Sequence, residues 1–295
     1  MRRILLAVSM VLTGAVRAEE PNWDKIQVKV VPVAGGVSML VGEGGNIGVT
    51  SGKDGIFLID DQFEPLLPKI RAAVKTLGDG PIRFVINTHF HGDHTGSNAK
   101  LGEAGAVILA QENVRKRLGM ERIPPTPPSA WPLVTYASGV NLYLNGDELE
   151  VIHVANAHTD GDSVIRFKKA NVVHMGDTFF NGNYPFIDVD AGGSIDGAIA
   201  AVDQVLAMID DQTRLIPGHG ALATKADLRA YRQVMAAIRD RVKSAIAQGR
   251  TLEQILAAKP TAQWDAAWGK GFIGPDVFVS TIHRSLTQSK PTGPK

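Results

Sequence analysis

The stretch Asn87-Thr88-His89-Phe90-His91-Gly92-Asp93-His94-Thr95-Gly96 directly follows the apolar run Ile82–Ile86. Turn residues bound this apolar run, so it predicts a buried strand. His89 and His91 are two residues apart, and in extended backbone both imidazoles leave the chain on the same face and can bind one ion. A strand that ends in a loop rich in ligands indicates a metal site on a rigid support.

Asp93 and His94 extend the pattern. We expect Gly92 to let the chain turn, so that these two side chains point to a neighbouring ion. A polar loop in which histidines cluster by chance is the competing interpretation, but four potential ligands within six residues favour metal binding. Because the ligands are imidazoles and a carboxylate and the chain has no cysteine, zinc is preferred over manganese or iron.

Later segments extend this first motif in a recognisable order. They are Ala157-His158-Thr159-Asp160-Gly161-Asp162, Met175-Gly176-Asp177-Thr178 and Pro217-Gly218-His219-Gly220. With His89-x-His91-x-Asp93-His94 in front of them, they resemble the motif series of the metallo-β-lactamase superfamily. Each later motif alone is weak, but the ordered set spans about residues 35–219 and is specific.

The resemblance implies a fold and a ligand set. The fold is an α/β protein, a four-layer αββα sandwich of two mixed β-sheets flanked by helices. His89, His91 and His158 would hold the first zinc ion, and Asp93, His94 and His219 the second. Asp177 would bridge the ions or complete the second site. The two ions would lie about 3.5–4 Å apart and share a water molecule.

The resemblance also implies an activity, that of an exported dinuclear zinc hydrolase. Hydroxide generated at the metals would attack the carbonyl of a cyclic amide, ester or thioester, with β-lactams among the candidate substrates, and Asp93 would orient the nucleophile. Many zinc β-lactamases have cysteine or serine near the position of Asp177. The first β-lactamase subclass has a lysine where Phe179-Phe180-Asn181 stands here. Aspartate at position 177 resembles the broader hydrolase branch of the superfamily. The absence of the lysine puts efficient β-lactam hydrolysis in doubt and leaves slow β-lactam hydrolysis open.

Other functions are therefore kept open. The first is a lactone or thioester hydrolase with little or no β-lactamase activity. The second is a periplasmic accessory or metal-binding protein of a quinone-dependent oxidation system. Redox iron chemistry, which some relatives with a flavin-binding partner domain carry out, is disfavoured because this length leaves no room for such a domain.

Length and charge limit the domain organisation and the possible partners of the protein. The 295 residues suit one large α/β domain, assigned here to residues 19–288, with a disordered tail at 289–295. The 31 basic and 30 acidic residues nearly balance, and the basic residues are scattered. We therefore expect a small-molecule substrate and no nucleic-acid partner.

The beginning of the chain reads as a secretory signal peptide, residues 1–18. Arg2 and Arg3 precede an apolar stretch that closes at Val16-Arg17-Ala18, which predicts cleavage after Ala18. We therefore expect a periplasmic or secreted protein with no membrane contact after cleavage. The apolar stretch is short for an uncleaved anchor, which is the competing interpretation. The absence of cysteine excludes a lipid-modified N-terminus and disulfides.

Periodicity predicts helices at 65–77, 111–118, 196–209 with Ser194 as N-cap, and 225–248. Asn145-Gly146 predicts a tight hairpin turn within 142–151. The resemblance to the superfamily implies that the glycine-rich hairpin at 39–46 overhangs the metals, although a mobile hairpin explains the same composition.

Several residues have two open interpretations. Asp60 could orient a ligand histidine or cap a turn, and His174 is expected to be packed or on the surface. Trp131 could face substrate from a proline-rich cleft wall or pack in the core, and no role is assigned to His153 and His283. An aromatic set could line an acyl pocket or fill the core beneath it: Phe179, Phe180, Tyr184 and Phe186.

Overall fold

The computed structural model describes residues 21–120 and 125–288. The predicted signal peptide at 1–18 and the predicted tail at 289–295 lie outside the described residues. Within the described part, two β-sheets pack face to face and helices cover both outer faces. Over these same residues, no helix has the length and apolar character that crossing a membrane requires.

The first sheet has seven strands in chain order among the described residues. Strands β1 to β4 pair antiparallel, and β4 to β7 pair parallel, so the sheet is mixed. The strands are β1 Lys29–Ala34, β2 Val37–Val41, β3 Ile47–Gly52, β4 Gly55–Ile59, β5 Ile82–Ile86, β6 Val107–Gln111 and β7 Val134–Tyr136.

The second sheet is built from the following half of the chain, in the order β13-β12-β11-β10-β9-β8. Its neighbours are antiparallel except for the parallel pair β11 and β12. The strands are β8 Gly139–Leu144, β9 Asp147–His153, β10 Ser163–Phe167, β11 Val172–His174, β12 Arg214–Ile216 and β13 Ala223–Thr224.

Helices occupy the loops and the outer layers. The described helices are α1 Leu67–Lys75, α2 Gly92–Thr95, α3 Asn98–Glu103, α4 Glu112–Gly119, α5 Ile195–Met208, α6 Lys225–Ala247, α7 Leu252–Ala257, α8 Asp265–Trp268 and α9 Pro275–Thr287. Ser194 accepts the Gly197 N–H and caps α5, as the sequence predicts. Thr224 and Asp227 form a capping box at the start of α6.

Three apolar clusters hold the four layers together. The central cluster lies between the sheets, where Phe57 and Ile86 of the first sheet meet Val151 and Phe167 of the second. On the outer face of the first sheet, α1 buries Ile70 against the strands. The outer face of the second sheet packs against α5, α6 and α9. The predicted αββα sandwich with two mixed sheets is therefore confirmed.

Local predictions agree with the structure within a few residues. The hairpin turns at Asn145 and Gly146, whose φ angles of 51° and 78° are left-handed, as a primed turn requires. The predicted helix at 65–77 is a short 3₁₀ turn, Glu64–Leu66, followed by α1. The apolar stripe of α6 is buried, which supports its interpretation as core.

Four strands end at the same edge of the sandwich. β4 and β5 are parallel neighbours in the first sheet, and β11 and β12 are parallel neighbours in the second. Loops leave from their carboxyl ends, and the connection from β9 to β10 lies at the same edge. All of the predicted ligand motifs stand in these loops.

Candidate metal centre

Short, stiff segments carry the candidate ligands. His89 and His91 follow β5 in the loop 87–91, and Asp93 and His94 lie in the one-turn helix α2. His158 lies between β9 and β10, and Asp177 in the 3₁₀ turn Gly176–Thr178 after β11. His219 follows β12 after Pro217 and Gly218.

The structure brings all seven predicted residues together in two groups. In the first group, each of His89, His91, His158 and Asp177 offers an atom, and these atoms all lie within 4.8 Å of one another. In the second group, the same holds for Asp93, His94 and His219. That the groups bind metal remains a prediction. The hydrogen bonds of their donor atoms show whether those atoms suit a metal ion.

Asp177 stands between the two groups and presents one oxygen to each. Its Oδ2 lies 3.8 Å from Nε2 of His89 and 3.5 Å from Nε2 of His158. Its Oδ1 lies 3.0 Å from Nε2 of His94 and 3.4 Å from Nε2 of His219. This is the placement that a bridging carboxylate needs.

Hydrogen bonds fix the protonation of the first-group imidazoles. The Phe186 carbonyl can only accept, so Nδ1 of His158, at 2.8 Å, carries the proton. Asp188 Oδ2, 3.0 Å from Nε2 of His91, likewise assigns the proton to Nε2. The Thr88 hydroxyl donates to Asp60 at 2.7 Å and accepts from Nδ1 of His89 at 3.0 Å.

The second group is fixed in the same way. Asp60 Oδ2 lies 2.8 Å from Nδ1 of His94, so that nitrogen donates and Nε2 of His94 is the atom that faces the second group. Asp60 also accepts the Thr88 N–H at 2.7 Å. The open question on Asp60 is answered by these contacts, because it orients a ligand-type histidine directly.

Acceptor atoms therefore face one another at the centre of the site. Nε2 of His158 lies 2.9 Å from Nδ1 of His91, and neither of these two atoms has a proton to spare. Nε2 of His94 lies 3.0 Å from Asp177 Oδ1, so a proton or a cation must stand between them. Within the described residues, buried Nε2 of His89, Nε2 of His94 and Oδ1 of Asp177 make no well-directed hydrogen bond. Buried lone pairs need a cation or a proton between them, so the donor set fits two metal ions.

The pKa values of the histidines differ between the two groups. Burial holds the pKa of His89 well below its usual value and lowers the pKa of His158 to about 4. Burial alone would lower the pKa of His94 too, but Asp177, Asp93 and Asp60 outweigh it and raise that pKa well above the usual range. In the same way Asp177 and Asp93 raise the pKa of His219 to about 9.

Glycines and one asparagine let the backbone close around the second group. A Cβ on Gly45 would lie 2.1 Å from the His94 ring, and one on Gly218 would lie 2.1 Å from Asp177 Oδ1. Asn46 Nδ2 donates to the carbonyls of Pro217 and Gly220, both at 2.9 Å. The turn at 42–46 is thus packed against the site, as the overhanging hairpin predicts.

The turn inside the first motif has a different cause from the one expected. Gly92 does not take a left-handed φ; it begins α2 after His91, whose ψ of 150° is extended. The onset of the helix, and not the freedom of glycine, sends Asp93 and His94 to the second group.

The remaining histidines make protein contacts. His174 is fully buried, donates from Nε2 to the Asn46 carbonyl at 3.0 Å and accepts the Gly176 N–H at Nδ1. Both of its ring nitrogens are satisfied, so the packed interpretation holds. His153 contacts the Asp162 carbonyl at 2.8 Å, and His283 lies in α9.

The aromatic residues divide between core and site. Phe179 and Tyr184 are fully buried in the core. Phe180 stacks on His219, with ring centroids 5.1 Å apart, and Phe186 lies 5.6 Å from the His158 ring. Trp131 packs beside the cluster around Val114 and Leu118 and stacks with Arg115, which supports its packed interpretation.

Asp188 and the Phe186 carbonyl are site groups that the sequence does not predict. They lie in a segment without regular structure after the carboxylate motif, where no periodicity indicates a role. The run of polar and aromatic residues there is the only signal in the sequence.

Several known proteins are similar to this chain in sequence. A family model described as "Metallo-beta-lactamase superfamily" matches residues 40–219. A hydroxyacylglutathione hydrolase from Erythrobacter litoralis is 29% identical over 100 residues, which are 34% of this chain and 35% of that protein. A hydroxyacylglutathione hydrolase from Polaromonas sp. is 27% identical over 198 residues, 62% of this chain and 70% of that protein.

Solved structures show the same fold. An inverting sec-alkylsulfatase from Pseudomonas sp. superposes with a TM-score of 0.68 at 15% identity, covering 87% of this chain and 50% of that chain. A metallo-beta-lactamase from Pontibacter korlensis superposes with a TM-score of 0.58 at 19% identity, covering 71% of this chain and 99% of that chain. The chain thus spans about a third of the Erythrobacter protein and half of the sulfatase.

Proposed function

Because the chain belongs to the metallo-beta-lactamase superfamily, we propose that it is a dinuclear, metal-dependent hydrolase that acts on a small-molecule ester, thioester or cyclic amide. One observation carries this proposal: Asp177 directs one oxygen to each of two groups, and in each group a buried histidine Nε2 faces inward without a well-directed hydrogen bond. Zinc is the metal we propose for both sites, since the ligands are imidazoles and carboxylates.

Each ion would have its own set of ligand residues. His89, His91 and His158 would hold the first ion, Asp93, His94 and His219 the second, and Asp177 would bridge them. When bound, the two ions would lower the pKa of a water molecule towards about 7 and polarise the substrate carbonyl. The orientation of every imidazole is supplied in advance by the contacts of its second nitrogen or by packing.

Asp93 is the residue we assign to proton handling. Burial alone would raise its pKa, but His94 and His219 outweigh this and lower it, so the carboxylate is ionised at neutral pH. Its Oδ2 lies 3.3 Å from Nε2 of His219, and its side chain is about a quarter exposed at 26%. Asp93 can therefore orient the attacking water and accept its proton at a point where the site is open to solvent.

Aromatic rings border the same side. Phe180 covers one face of His219, and Phe186 lies beside the rings of His91 and His158. These rings would exclude water around the reacting carbonyl and accommodate an apolar acyl group.

Among the substrate classes, an acyl thioester or ester has the most support. Two relatives carry the name hydroxyacylglutathione hydrolase, and the bridging position here is aspartate. Where the first β-lactamase subclass has a lysine for the substrate carboxylate, this chain has Phe179-Phe180-Asn181. We therefore place β-lactams second, as slow substrates.

Export is part of the proposal and rests on the sequence pattern of residues 1–18 alone. Detection of the tagged full-length protein in the periplasm, with a mature N-terminus at residue 19, is the expected result. A cytoplasmic protein that retains residues 1–18 would contradict it.

The test of function is a substrate panel on the purified mature protein: a chromogenic cephalosporin, a simple lactone and an acyl thioester, each before chelation, after chelation and after return of zinc. We expect zinc-dependent turnover of the thioester or lactone, with the cephalosporin slower. Rapid cephalosporin turnover would reverse our order of substrates. Tight zinc binding with no turnover of any panel member would favour an accessory or metal-binding role.

A further inference from the structure

The segment 186–193 contacts two first-group imidazoles that come from different loops. The Phe186 carbonyl accepts the Nδ1 proton of His158 at 2.8 Å, and the Asp188 N–H donates to the His158 carbonyl at 2.9 Å. The side chain of Asp188 reaches His91, with 3.0 Å between Oδ2 and Nε2. Asp188 therefore touches both His91 and His158.

The fold holds the Asp188 carboxylate in place independently of any metal. Its Oδ1 accepts the Ala191 N–H at 2.9 Å, and its backbone carbonyl accepts the Gly193 N–H at 2.8 Å. Helix α9 holds the end of this stretch of chain, because the Ser285 hydroxyl accepts the Ile195 N–H at 3.0 Å. Oδ2 is thus a fixed acceptor aimed at His91.

His91 is the first-group imidazole that most needs such an acceptor. Its side chain is 19% exposed, whereas those of His89 and His158 are each 1% exposed. Water can compete for the nitrogens of an exposed ring and leave its tautomer unfixed. A carboxylate at Nε2 keeps the proton there and leaves the Nδ1 lone pair directed at the first group.

We propose that Asp188 is a positioning residue that fixes the tautomer and ring orientation of His91 and so sets the metal affinity of the first group. This inference rests on the proposed function, since it requires that the first group bind a metal. Asp188 acts through His91 and need not touch the substrate.

The variant Asp188→Asn separates positioning from loop structure. The Ala191 N–H is a fixed donor, so the amide oxygen stays with it and the loop is retained. The amide NH₂ then faces Nε2 of His91, which must accept, and the imidazole proton moves to Nδ1, where the metal would bind. Asp188→Ala, as a second variant, removes both side-chain contacts. We expect each to lower metal affinity about 10- to 100-fold.

The experiment measures the affinity of the first group alone for Zn²⁺. The background variant His219→Ala weakens the second group, and competition with a chromophoric chelator then reports the dissociation constant of the remaining ion. Asp190→Asn is the matched control, since it lies in the same segment but pairs with Arg284 on the surface. Thermal unfolding of the metal-free proteins verifies that each variant is folded.

We expect Asp188→Asn to weaken Zn²⁺ binding about 10- to 100-fold, with the control within about twofold of the background and a similar unfolding temperature in both. Equal affinity in the background, Asp188→Asn and Asp188→Ala proteins would overturn the inference while leaving the proposed function intact. If the unsubstituted protein itself binds no Zn²⁺, the proposed function fails, and the inference fails with it.

Discussion

The carboxylate of Asp60 lies 2.8 Å from Nδ1 of His94, and the same oxygen accepts the Thr88 hydroxyl, which in turn contacts Nδ1 of His89. One buried carboxylate thus sets the tautomer of an imidazole in each metal group. Asp60 reaches this position from a left-handed backbone conformation, φ 64°, directly after β4. Strain of this kind is retained where a defined side-chain position is needed.

We predict that Asp60→Asn weakens the binding of both metal ions. The amide oxygen would stay with the Thr88 N–H, and the amide NH₂ would face His94 Nδ1 and force the proton to the metal side of the ring. Zinc affinity should fall about 10- to 100-fold, measured as zinc retained per protein after dialysis against a weak chelator.

Asp61→Asn is the control for this change. Burial raises the pKa of the Asp61 carboxyl well above its usual value. Its Oδ1 accepts the Ser97 N–H at 2.9 Å and not a candidate ligand. Equal zinc loss in both variants would show a general loosening of the loop and contradict the role of Asp60.

Gly218 provides a steric test of the same centre. A Cβ there would meet Asp177 Oδ1 at 2.1 Å and the Gly176 backbone at 2.6 Å. We predict that Gly218→Ala displaces the bridging carboxylate, costs about 1–3 kcal/mol of unfolding free energy and removes at least one zinc ion. Urea unfolding and metal analysis measure the two effects.

Gly92→Ala is its matched partner within the first motif, because the structure places no atom within 4 Å of an added Cβ. We expect both zinc ions to remain and stability to change by less than about 1 kcal/mol. Loss of zinc from Gly92→Ala as severe as that from Gly218→Ala would mean that the close approach at Gly218 is not the cause.

Asn46 provides a test specific to the second group, because its amide holds the backbone on both sides of His219. Asn46→Ala would leave the buried carbonyl of Pro217 without its donor and should cost about 1–3 kcal/mol. We predict that one zinc ion of two is lost while the first stays. Asn181 is the control, because its amide donates to the exposed Ala221 carbonyl nearby, and Asn181→Ala should retain both zinc ions. If Asn46→Ala loses both zinc ions while Asn181→Ala keeps them, the effect is not selective for the second group.

Zinc binding should depend on pH differently in the two groups. Raised pKa values mean that His94 and His219, the latter at about 9, hold protons at pH 7 that a metal must displace. His89 and His158 have lowered pKa values, so they are already neutral. Affinity of the second group should therefore rise from about pH 6.5 to 8.5, by up to about tenfold per pH unit for each displaced proton.

Chelator competition across this pH range checks the prediction, with His219→Ala isolating the first group. The first group should change less between about pH 6.5 and 8.5, because the pKa values of His89 and His158 are lowered and the metal displaces no proton from these two rings. A slope equally steep in the unsubstituted protein and in His219→Ala would contradict the assignment of the protonated imidazoles to the second group.

The sequence predicts the local parts of this centre well. His89 and His91 are separated by one residue after a strand, so their shared face follows from backbone geometry alone. The meeting of His158, Asp177 and His219 is different, because it depends on how β10, β11 and β12 pair in the second sheet. Only the resemblance to a family predicts that meeting.

Other features could not be read from the sequence for a physical reason. The contact of Asp188 with His91 joins residues 97 apart through an irregular loop, which no periodic pattern encodes. Phe179 and Phe180 are adjacent, yet one fills the core and the other stacks on His219. Their division depends on how the 3₁₀ turn at Gly176–Thr178 rotates the chain, a tertiary effect.

The most direct test of the central claim is a titration of the chelated protein with Zn²⁺, following thioester or lactone hydrolysis and bound metal together. We predict two bound ions per chain, with hydrolysis absent in the chelated protein and full only when both groups are filled. Hydrolysis that persists in the metal-free protein, or a chain that binds no zinc at all, would contradict the claim.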